Sequence, residues 1–583
     1  MRDRPQLEAE RRSVDRLPLA AALAAAQLAL VGPLAVWVDN RESFAGFSPQ
    51  ATLTLGLAAL VLAALFAAPG LLLPRLEPRA SAFLCALTLL MWGQSFLSGR
   101  LLTGTNLAGA ASTAQVVAEP LIWVAVLVAA GWLAARVGRP LLRFAALALL
   151  VQSLALGWTA WRLDPGSRAL GVDRPEDLAG LATLSANRNI LVLVLDGMHR
   201  DYATRALEAN PELAERFAGF EVFTDHLASF PTTRFSLPSM LSGLAYDNTV
   251  PATQFIERSL TGRDSLPRWL QEAGWDVGLA TTIRTALAAP ADHQLAVDAY
   301  VRRQRTARAL GLELLDLSLF RHAPSRIGRW VYNDDRWRLQ QLAPAARTNY
   351  HAVRSQDFMT DFVPLLRAAG ERPAFRFIHI GGAHPPVVVD GDCSFLGVQP
   401  ISPESYGPQV ECALSQAADL IERLDALGIL RRTAVIIASD HGVDVKAEST
   451  DQADPFAWVL DHAAASLMVK PFDATGGPTF ERAPTSNLDL PGIVRRLSEP
   501  ATAGDYLPSG ITPSRERAFH FHLWQNNDWR KSHLTALHHF RVTPGAGAKS
   551  SWTYTGTTAS PELPADEQQR IERDAARYFP SGN

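Results

Sequence analysis

The chain has 583 residues, with 55 basic and 58 acidic side chains. The resulting net charge of −3 excludes a general nucleic-acid binder, and the length accommodates a large core plus a second region. Long apolar runs concentrate in the first 160 or so residues, whereas the remainder has the composition of a soluble α/β domain, with no internal repeat or low-complexity tract.

Met1 to Arg16 is a polar tail with five arginines, followed by an apolar run from Leu17 to Val38 that is long enough to span a bilayer and too long for a signal-peptide core. Further runs cover Leu53 to Leu73, Ala80 to Leu97, Pro120 to Ala135 and Leu141 to Trp158, which predicts a transmembrane anchor of five helices over residues 1–160. Basic residues alternate in the connections. Arg75 and Arg79, then Arg136, Arg139 and Arg143, fall on the same side as the tail, and Arg41 and Arg100 fall on the other. The positive-inside rule therefore predicts a cytoplasmic amino terminus and an outer domain after Trp158.

Residues 161–186 read as a linker, interrupted by Pro165, Gly166, Gly171 and Pro175. The outer domain proper, predicted over 187–498, opens with Ile190 to Leu195, an aliphatic run without polar alternation that reads as a strand buried on both faces of a parallel sheet. It ends at Asp196, where a carboxylate at the carboxyl end of a strand is either a metal ligand or a turn aspartate. Met198 to Phe220 is mostly helical in pattern, and Phe220 to Phe223 reads as a short strand.

Phe230 to Gly243 holds adjacent threonines ahead of a predicted helix, with Ser236 as its cap and Pro238 in the first turn. A hydroxyl ahead of a helix start faces unpaired amides, which suits an anion and an alkoxide nucleophile; a plain helix entry is the alternative. Leu266 to Gly274 and Trp275 to Thr281 continue the alternation as helix and strand. The basic, aromatic stretch from Arg302 to Thr348 reads as a solvated helical face, with a substrate entrance or a lipid-headgroup contact as alternatives.

Ala374 to Ile380 is a second buried strand, with His379 inside it as a core histidine and His384 in the Gly-Gly-Ala-His-Pro-Pro loop beyond it as a functional one. Cys393 and Cys412 lie in the outer domain, where an oxidising compartment lets them pair, whereas Cys85 falls in a membrane helix. Glu411 to Leu427 is an amphipathic helix, and Thr433 to Ala438 is a strand that stops at Ser439-Asp-His-Gly442. Asp440 and His441 supply one oxygen and one nitrogen side by side, as a metal site requires, or form a structural pair. From about Glu499 the pattern changes. Phe519 to Trp524 and Leu537 to Val542 alternate as strands of a small antiparallel addition over 499–583, with His520, His522, His538 and His539 as ordinary strand histidines.

Three strands thus deliver Asp196, His384, Asp440 and His441 to one sheet edge, with Thr233 at a helix entry on the same side. This set resembles the alkaline phosphatase and sulfatase superfamily, in particular its membrane-anchored branch of phosphoethanolamine and phosphoglycerol transferases. Leu195-Asp-Gly197 is similar to the first metal motif of that family and Ser439 to Gly442 to the second, Thr233 falls where the family places its nucleophile, and His379 to His384 has the spacing of the phosphoethanolamine transferases. The sulfatase signature, a cysteine or serine with proline two and arginine four residues on, is replaced by Thr233, Phe235 and Leu237, which disfavours a formylglycine sulfatase. The phosphodiesterase branch has an aspartate four residues before a histidine; Ile380 stands there before His384, which argues against a full two-metal site.

The resemblance implies a sulfatase-like α/β fold with a mostly parallel central sheet, and a divalent cation held by Asp196, Thr233, Asp440 and His441. Zinc or manganese is favoured, with magnesium or calcium as alternatives. It also implies Thr233 as nucleophile and His384 and His462 as substrate-binding residues, with Asp461 and Lys470 structural. The implied reaction moves a phosphoethanolamine- or phosphoglycerol-type group from a phospholipid donor to an envelope glycan or lipid-linked acceptor, at the cytoplasmic (inner) membrane with the catalytic domain periplasmic or extracellular. A sulfatase-like phosphodiesterase or phosphatase, a sulfuric ester hydrolase and an inactive binding module are the alternatives.

Overall fold

The computed structural model describes residues 16–39, 49–98, 113–162, 175–305, 309–333, 337–342, 350–445, 455–499, 505–524 and 531–579. The tail before Arg16, the loop residues Arg41 and Arg100 and residues 163–174 of the predicted linker lie outside them. Contacts divide the chain into two units, one of Met1–Leu170 with Arg302–Arg347 and one of Gly171–Val301 with Thr348–Asn583.

The second unit is built on Asn189–Leu195 (β1), whose seven residues are all buried. Such a strand needs neighbours and cover on both sides. β1 pairs in parallel with Ala374–Ile380 on one side and Thr433–Ala438 on the other, the two strands expected from their aliphatic runs. Glu221–Phe223 (β2), Asp276–Thr281 (β3), His293–Ala296 (β4), Ala374–Ile380 (β5), Thr433–Ala438 (β6), Leu467–Lys470 (β7) and Thr479–Glu481 (β8) complete an eight-stranded sheet in the order β8-β2-β7-β6-β1-β5-β3-β4. Only β7 runs against the rest, pairing antiparallel with both β6 and β2. Separate apolar clusters pack from Leu191, Leu193 and Leu195 on one face and from Ile190, Val192 and Val194 on the other, so the alternate side chains of β1 feed two cores.

Part of the predicted linker is ordered structure. Pro175–Leu181 is a helix and Thr183–Ser185 a short strand, paired in parallel with Arg367–Gly370. Arg376, fully buried in β5, fastens this segment to the sheet: its guanidinium donates to the carbonyls of Leu181 at 2.9 Å, Gly180 at 3.0 Å and Asp276 at 2.8 Å, and pairs with the Asp276 carboxylate at 2.5 Å. The predicted helix Glu411 to Leu427 begins eight residues earlier, as Pro403–Ala426, because Ser402 caps it and Pro403 fits the first turn, where no amide is needed. Cys393 and Cys412 are disulfide-bonded, with Cα atoms 5.0 Å apart.

Arg517–Phe521 (β9), Ala536–Val542 (β10) and Trp552–Ala559 (β11) form the antiparallel addition. The predicted strand to Trp524 stops at Phe521, and Trp524 is exposed. This small sheet packs Phe519, Phe521, Phe540 and Trp552 against Phe456, Val459 and Ala463 of the helix Pro455–Ala463. Its histidines pair within the sheet: His520 Nδ1 lies 2.8 Å from His539 Nδ1, and His538 Nδ1 is 2.7 Å from Thr557 Oγ1.

In the first unit the five predicted runs fold as the helices Arg16–Asp39, interrupted by a π-turn at Gln27–Val31, then Pro49–Leu72, Glu77–Ser98, Thr113–Trp132 and Ala134–Arg162. Among the described residues three of these are long and apolar enough to cross a membrane: Arg16–Asp39, Ala51–Leu72 and Ala134–Arg162. Leu57, Leu60, Val61, Leu121, Val128, Leu150 and Leu154 are exposed, an apolar surface larger than water tolerates.

The stretch read as a solvated face belongs instead to this unit. Ala309–His322 buries Leu310, Leu314 and Leu315 against Ala29, Val36, Ala51 and Leu55. Ser318 Oγ donates to Leu28 O at 2.7 Å, beside the π-turn, and Arg321 pairs with Asp39 at 2.6 Å. The helix Ser325–Tyr332 starts with Ser325 N donating to Glu119 at 2.9 Å. The arginines at the edges of the stretch conceal an apolar middle.

Removing Arg376 takes a buried cation from the Asp276 carboxylate, which keeps only the outer Arg372 and His293, and a donor from the carbonyls of Gly180, Leu181 and Asp276, so Arg376→Met is expected to cost about 3 kcal/mol. A lowered thermal unfolding midpoint of the purified full chain, read by circular dichroism, checks this. A second expectation concerns acid. Burial holds His226, His520 and His538 at about 4 and His522 at about 3, against an ordinary 6.5. A group whose folded pKa is depressed is neutral in both states above 6.5, but below it the unfolded chain takes the proton first. The contribution of these four histidines is therefore constant above about pH 7 and falls as pH drops from about 6.5 to about 4, so unfolding midpoints are expected to fall across that range.

Candidate functional site

The parallel register sets the site. Val194 lies opposite Ala438 and Leu195 opposite Ile380, so β1, β6 and β5 end together and release Asp196, Asp440, His441 and the Gly381–His384 loop at one edge. Gly382 has a φ of +45°, and a Cβ there would stand 2.8 Å from Leu195 Cα, so the loop bearing His384 can lie against the end of β1 only with glycine at this position.

Thr233 is the first residue of the helix Thr233–Ser242, and Thr232, in extended conformation, occupies the cap. The helix thus begins three residues before the expected cap Ser236, whose hydroxyl instead donates to Phe230 O at 3.0 Å, and Pro238 sits inside the helix, which forgoes one backbone bond there. Thr233 Oγ1 lies 3.2 Å from His441 Nε2 and 3.4 Å from Asp196 Oδ2. Nucleophile and ligand candidates from three distant segments therefore meet.

Asp440 Oδ1 accepts from Gly197 N at 3.2 Å and His441 N at 3.0 Å, while its Oδ2 stands 3.4 Å from His441 Nε2. His441 Nε2 is 3.5 Å from Asp196 Oδ1. Asp196 Oδ1, Asp440 Oδ2 and His379 Nε2 are buried with no hydrogen-bond partner among the described residues. Unmet buried atoms of this kind are costly unless something charged joins them.

His379, read from the sequence as a core histidine, points its Nε2 at Asp196 Oδ2, 3.5 Å away, and its Nδ1 is held by Thr281 at 3.2 Å and Thr282 at 3.1 Å. Two sets, Asp196 with His384 and His441, and Asp196 with His379 and Asp440, each bring one donor atom per residue within 4.8 Å of the others. The donor set of carboxylate oxygens and imidazole nitrogens fits a divalent cation. Asp196 belongs to both sets, and in the second the nitrogen comes from His379, inside β5. His384, expected to bind substrate, stands among the metal-capable atoms as well.

The histidines are oriented from behind. His384 Nδ1 donates to Pro385 O at 2.6 Å, His441 Nδ1 to Gly442 O at 2.7 Å and His462 Nδ1 to Trp458 O at 3.0 Å. A carbonyl only accepts, so Nε2 is the nitrogen each ring presents to the site. His462 lies in the helix Pro455–Ala463 rather than in the expected loop, its ring 6.5 Å from that of His441. On the other side the His384 ring is 6.1 Å from His441.

Asp461 lies 3.6 Å from His199 Nε2, and Lys470 Nζ meets the carbonyls of Leu430 and Pro471 at 3.4 Å, both structural contacts. Three contributors were not foreseen. Asn487 donates to Asp440 O at 2.7 Å, His522 Nε2 lies 3.3 Å from Thr232 Oγ1, and the His351 ring stands 4.8 Å from that of His384.

Burial alone would raise Asp196, but His384, His379 and His441 outweigh it and hold the carboxyl well below its ordinary range. Burial likewise pulls His441 down, and Asp440 and Asp196 outweigh it and raise the imidazole above 6.5. Burial lowers His462. Asp440 and Asp196 thus draw a proton onto His441.

Residues 188–458 match the family model described as Sulfatase. Among solved structures, the lipoteichoic acid synthase of Listeria monocytogenes is 12% identical over 71% of this chain and 98% of its own, with a TM-score of 0.35. The soluble domain of the lipooligosaccharide phosphoethanolamine transferase A of Neisseria meningitidis is 12% identical over 54% of this chain and 88% of its own, with a TM-score of 0.33. The phosphonate monoester hydrolase of Agrobacterium radiobacter is 14% identical over 63% and 89%, with a TM-score of 0.37. No curated protein matches the sequence.

A cation must displace the proton that the carboxylates hold on His441, while Asp196 is already ionised. Divalent-metal affinity is therefore expected to rise with pH through the neutral range and level off above the raised His441 value. Competition titrations with zinc and manganese at pH 6, 7 and 8 check this, since a site of carboxylates alone would be flat across that interval.

Proposed function

We propose, from the match of residues 188–458 to the family model described as Sulfatase, that the chain is a membrane-anchored, metal-dependent phospho-headgroup transferase with Thr233 as nucleophile. The observation that carries the reading is the position of Thr233 Oγ1, at a helix start and 3.2 Å from His441 Nε2, in a chain with three helices apolar enough to cross a membrane. The donor would be a phosphoethanolamine- or phosphoglycerol-type lipid and the acceptor a hydroxyl of an envelope glycan or lipid-linked sugar.

Asp196, Asp440 and His441, with the Thr233 oxygen, would hold a divalent cation, zinc or manganese before magnesium or calcium; when bound it supplies positive charge that steadies the phosphoryl oxygens and eases ionisation of the hydroxyl. Thr233 Oγ1 attacks phosphorus, its bond to phosphorus forms, and the bond from phosphorus to the diacylglycerol oxygen breaks. The hydroxyl proton passes through an imidazole Nε2 of His384 or His462 to the leaving oxygen. In the second half the acceptor hydroxyl attacks the phosphothreonine and the proton returns to Thr233. Water in place of the acceptor would make the same site a phosphodiesterase.

The proposed topology has five crossings with the amino terminus in the cytoplasm and residues 187–583 outside. Support comes from within the first unit: the Arg321–Asp39 pair and the Ser325–Glu119 bond lie at helix ends that this topology assigns to the outer side.

Intact mass of the purified full chain after incubation with phosphatidylethanolamine or phosphatidylglycerol tests the reading. A headgroup-phosphate adduct is expected on wild type and on Thr233→Ser, and its formation is expected to fall about a thousandfold in Thr233→Ala. An adduct that persists undiminished in Thr233→Ala overturns the assignment of the nucleophile, and a metal-loaded wild type that forms none and releases no headgroup overturns the lipid donor.

A further inference from the structure

One side chain beside the site has a role that the proposed reaction does not use. His351 opens the helix His351–Phe362, whose first turn is built onto the loop that carries His384. Gly381 has no Cβ, and one would lie 2.6 Å from His351 Cβ; Ser355 Oγ, one turn on, accepts from Gly382 N at 3.1 Å. The helix start and the Gly381–His384 loop therefore form one packed piece.

The His351 ring is half-buried, 4.8 Å from His384 and tilted by 57°. It extends the line of rings His462, His441 and His384 by a fourth member. Arg354 Nη2 lies 3.1 Å from His351 Nδ1. A guanidinium has only donors, so Nδ1 accepts and the ring proton sits on Nε2. Arg354 is held in turn by Asp298, Nε to Oδ1 3.0 Å. His384 is fixed in the opposite sense, since its Nδ1 donates to Pro385 O and its Nε2 carries the lone pair. Two adjacent rings thus offer one donor and one acceptor.

We propose that His351 is a substrate-contacting residue, a neutral imidazole whose Nε2–H donates to an oxygen of the bound phosphate ester beside His384, with Arg354 and Asp298 as the positioning residues that hold its tautomer. This rests on the phosphoryl-transfer reading above. Neither metal-capable group among the described residues includes His351, so its loss acts on substrate and leaves the cation in place. A glutamine carries its amide nitrogen near the place of Nε2 and keeps the donor, whereas a leucine keeps only bulk.

The experiment uses the full chain in detergent, loaded with zinc or manganese, and compares wild type, His351→Gln and His351→Leu. Affinity for inorganic phosphate is read by calorimetry, turnover of bis(4-nitrophenyl) phosphate by absorbance, and metal content by mass spectrometry. One hydrogen bond to an anion predicts that His351→Leu weakens phosphate binding and raises KM about tenfold, with a smaller change in kcat. His351→Gln should stay within about threefold of wild type, metal content should be unchanged in both, and the pH profile should keep its shape. Wild-type phosphate affinity in His351→Leu, equal losses in the two variants, or loss of metal would each overturn the proposal. A wild type that binds phosphate with the predicted dependence on residue 351 but cleaves no ester supports the His351 assignment and overturns the transferase reading. A wild type that binds no phosphate overturns both.

Discussion

Two carboxylates buried at the ends of neighbouring parallel strands are the constraint around which the second unit is arranged. Asp196 and Asp440 follow β1 and β6, and each keeps one oxygen without a hydrogen bond among the described residues. Uncompensated burial of a charge costs several kcal/mol. No rearrangement of the strands relieves it, because every residue of β1 and of β6 is buried and a slip of one position would turn each side chain to the opposite face. The compensation must come from what converges on the edge, and His379, His384 and His441 do so in part. A divalent cation bound there would complete it.

The support for this edge reaches past the sulfatase-family match, which ends at residue 458. His462, Asn487 and His522 all follow it. Asn487 ties the Asp440 carbonyl to His226, and His226 Nδ1 lies 2.9 Å from Thr485 Oγ1, so one hydrogen-bonded chain runs from the metal-capable loop into the segment after β8. The antiparallel addition positions His462 by packing Phe519 and Phe521 against its helix. That sheet is therefore part of the site's scaffold, although it contributes no donor atom to either metal-capable group.

Asp196, Thr233, His384, Asp440 and His441 were legible in the sequence because each follows a segment whose burial or capping pattern is local. β1, β5 and β6 appear where uninterrupted aliphatic runs place them, since a strand covered on both faces admits few polar residues. His379 was not legible for the same reason. Inside such a strand a histidine looks like any satisfied core residue, and only the register opposite Val194 brings it to Asp196. His351 stands 33 positions before His384, and the contact depends on a glycine that leaves room for a helix start, a signal visible only in three dimensions. Averaging over Arg302 to Thr348 hid Leu310, Leu314 and Leu315 behind flanking arginines. The five apolar runs were legible too and fold as five helices, of which three are, among the described residues, long and apolar enough to span a membrane.

The path of the chain links two of these misses, the Arg302 to Thr348 stretch and His351. Residues Arg302–Arg347 belong to the first unit, yet they are inserted between Asp298 and His351, whose side chains are joined through Arg354 in the second. An insertion needs its two ends held close, or the entropy of the open loop works against both units. The ion pair from Asp298 to Arg354 and the bond from Arg354 to His351 perform that closure in the second unit. The same contacts that close the insertion fix an imidazole beside His384. Closure and site geometry therefore share three residues, and a change made to one of them acts on both.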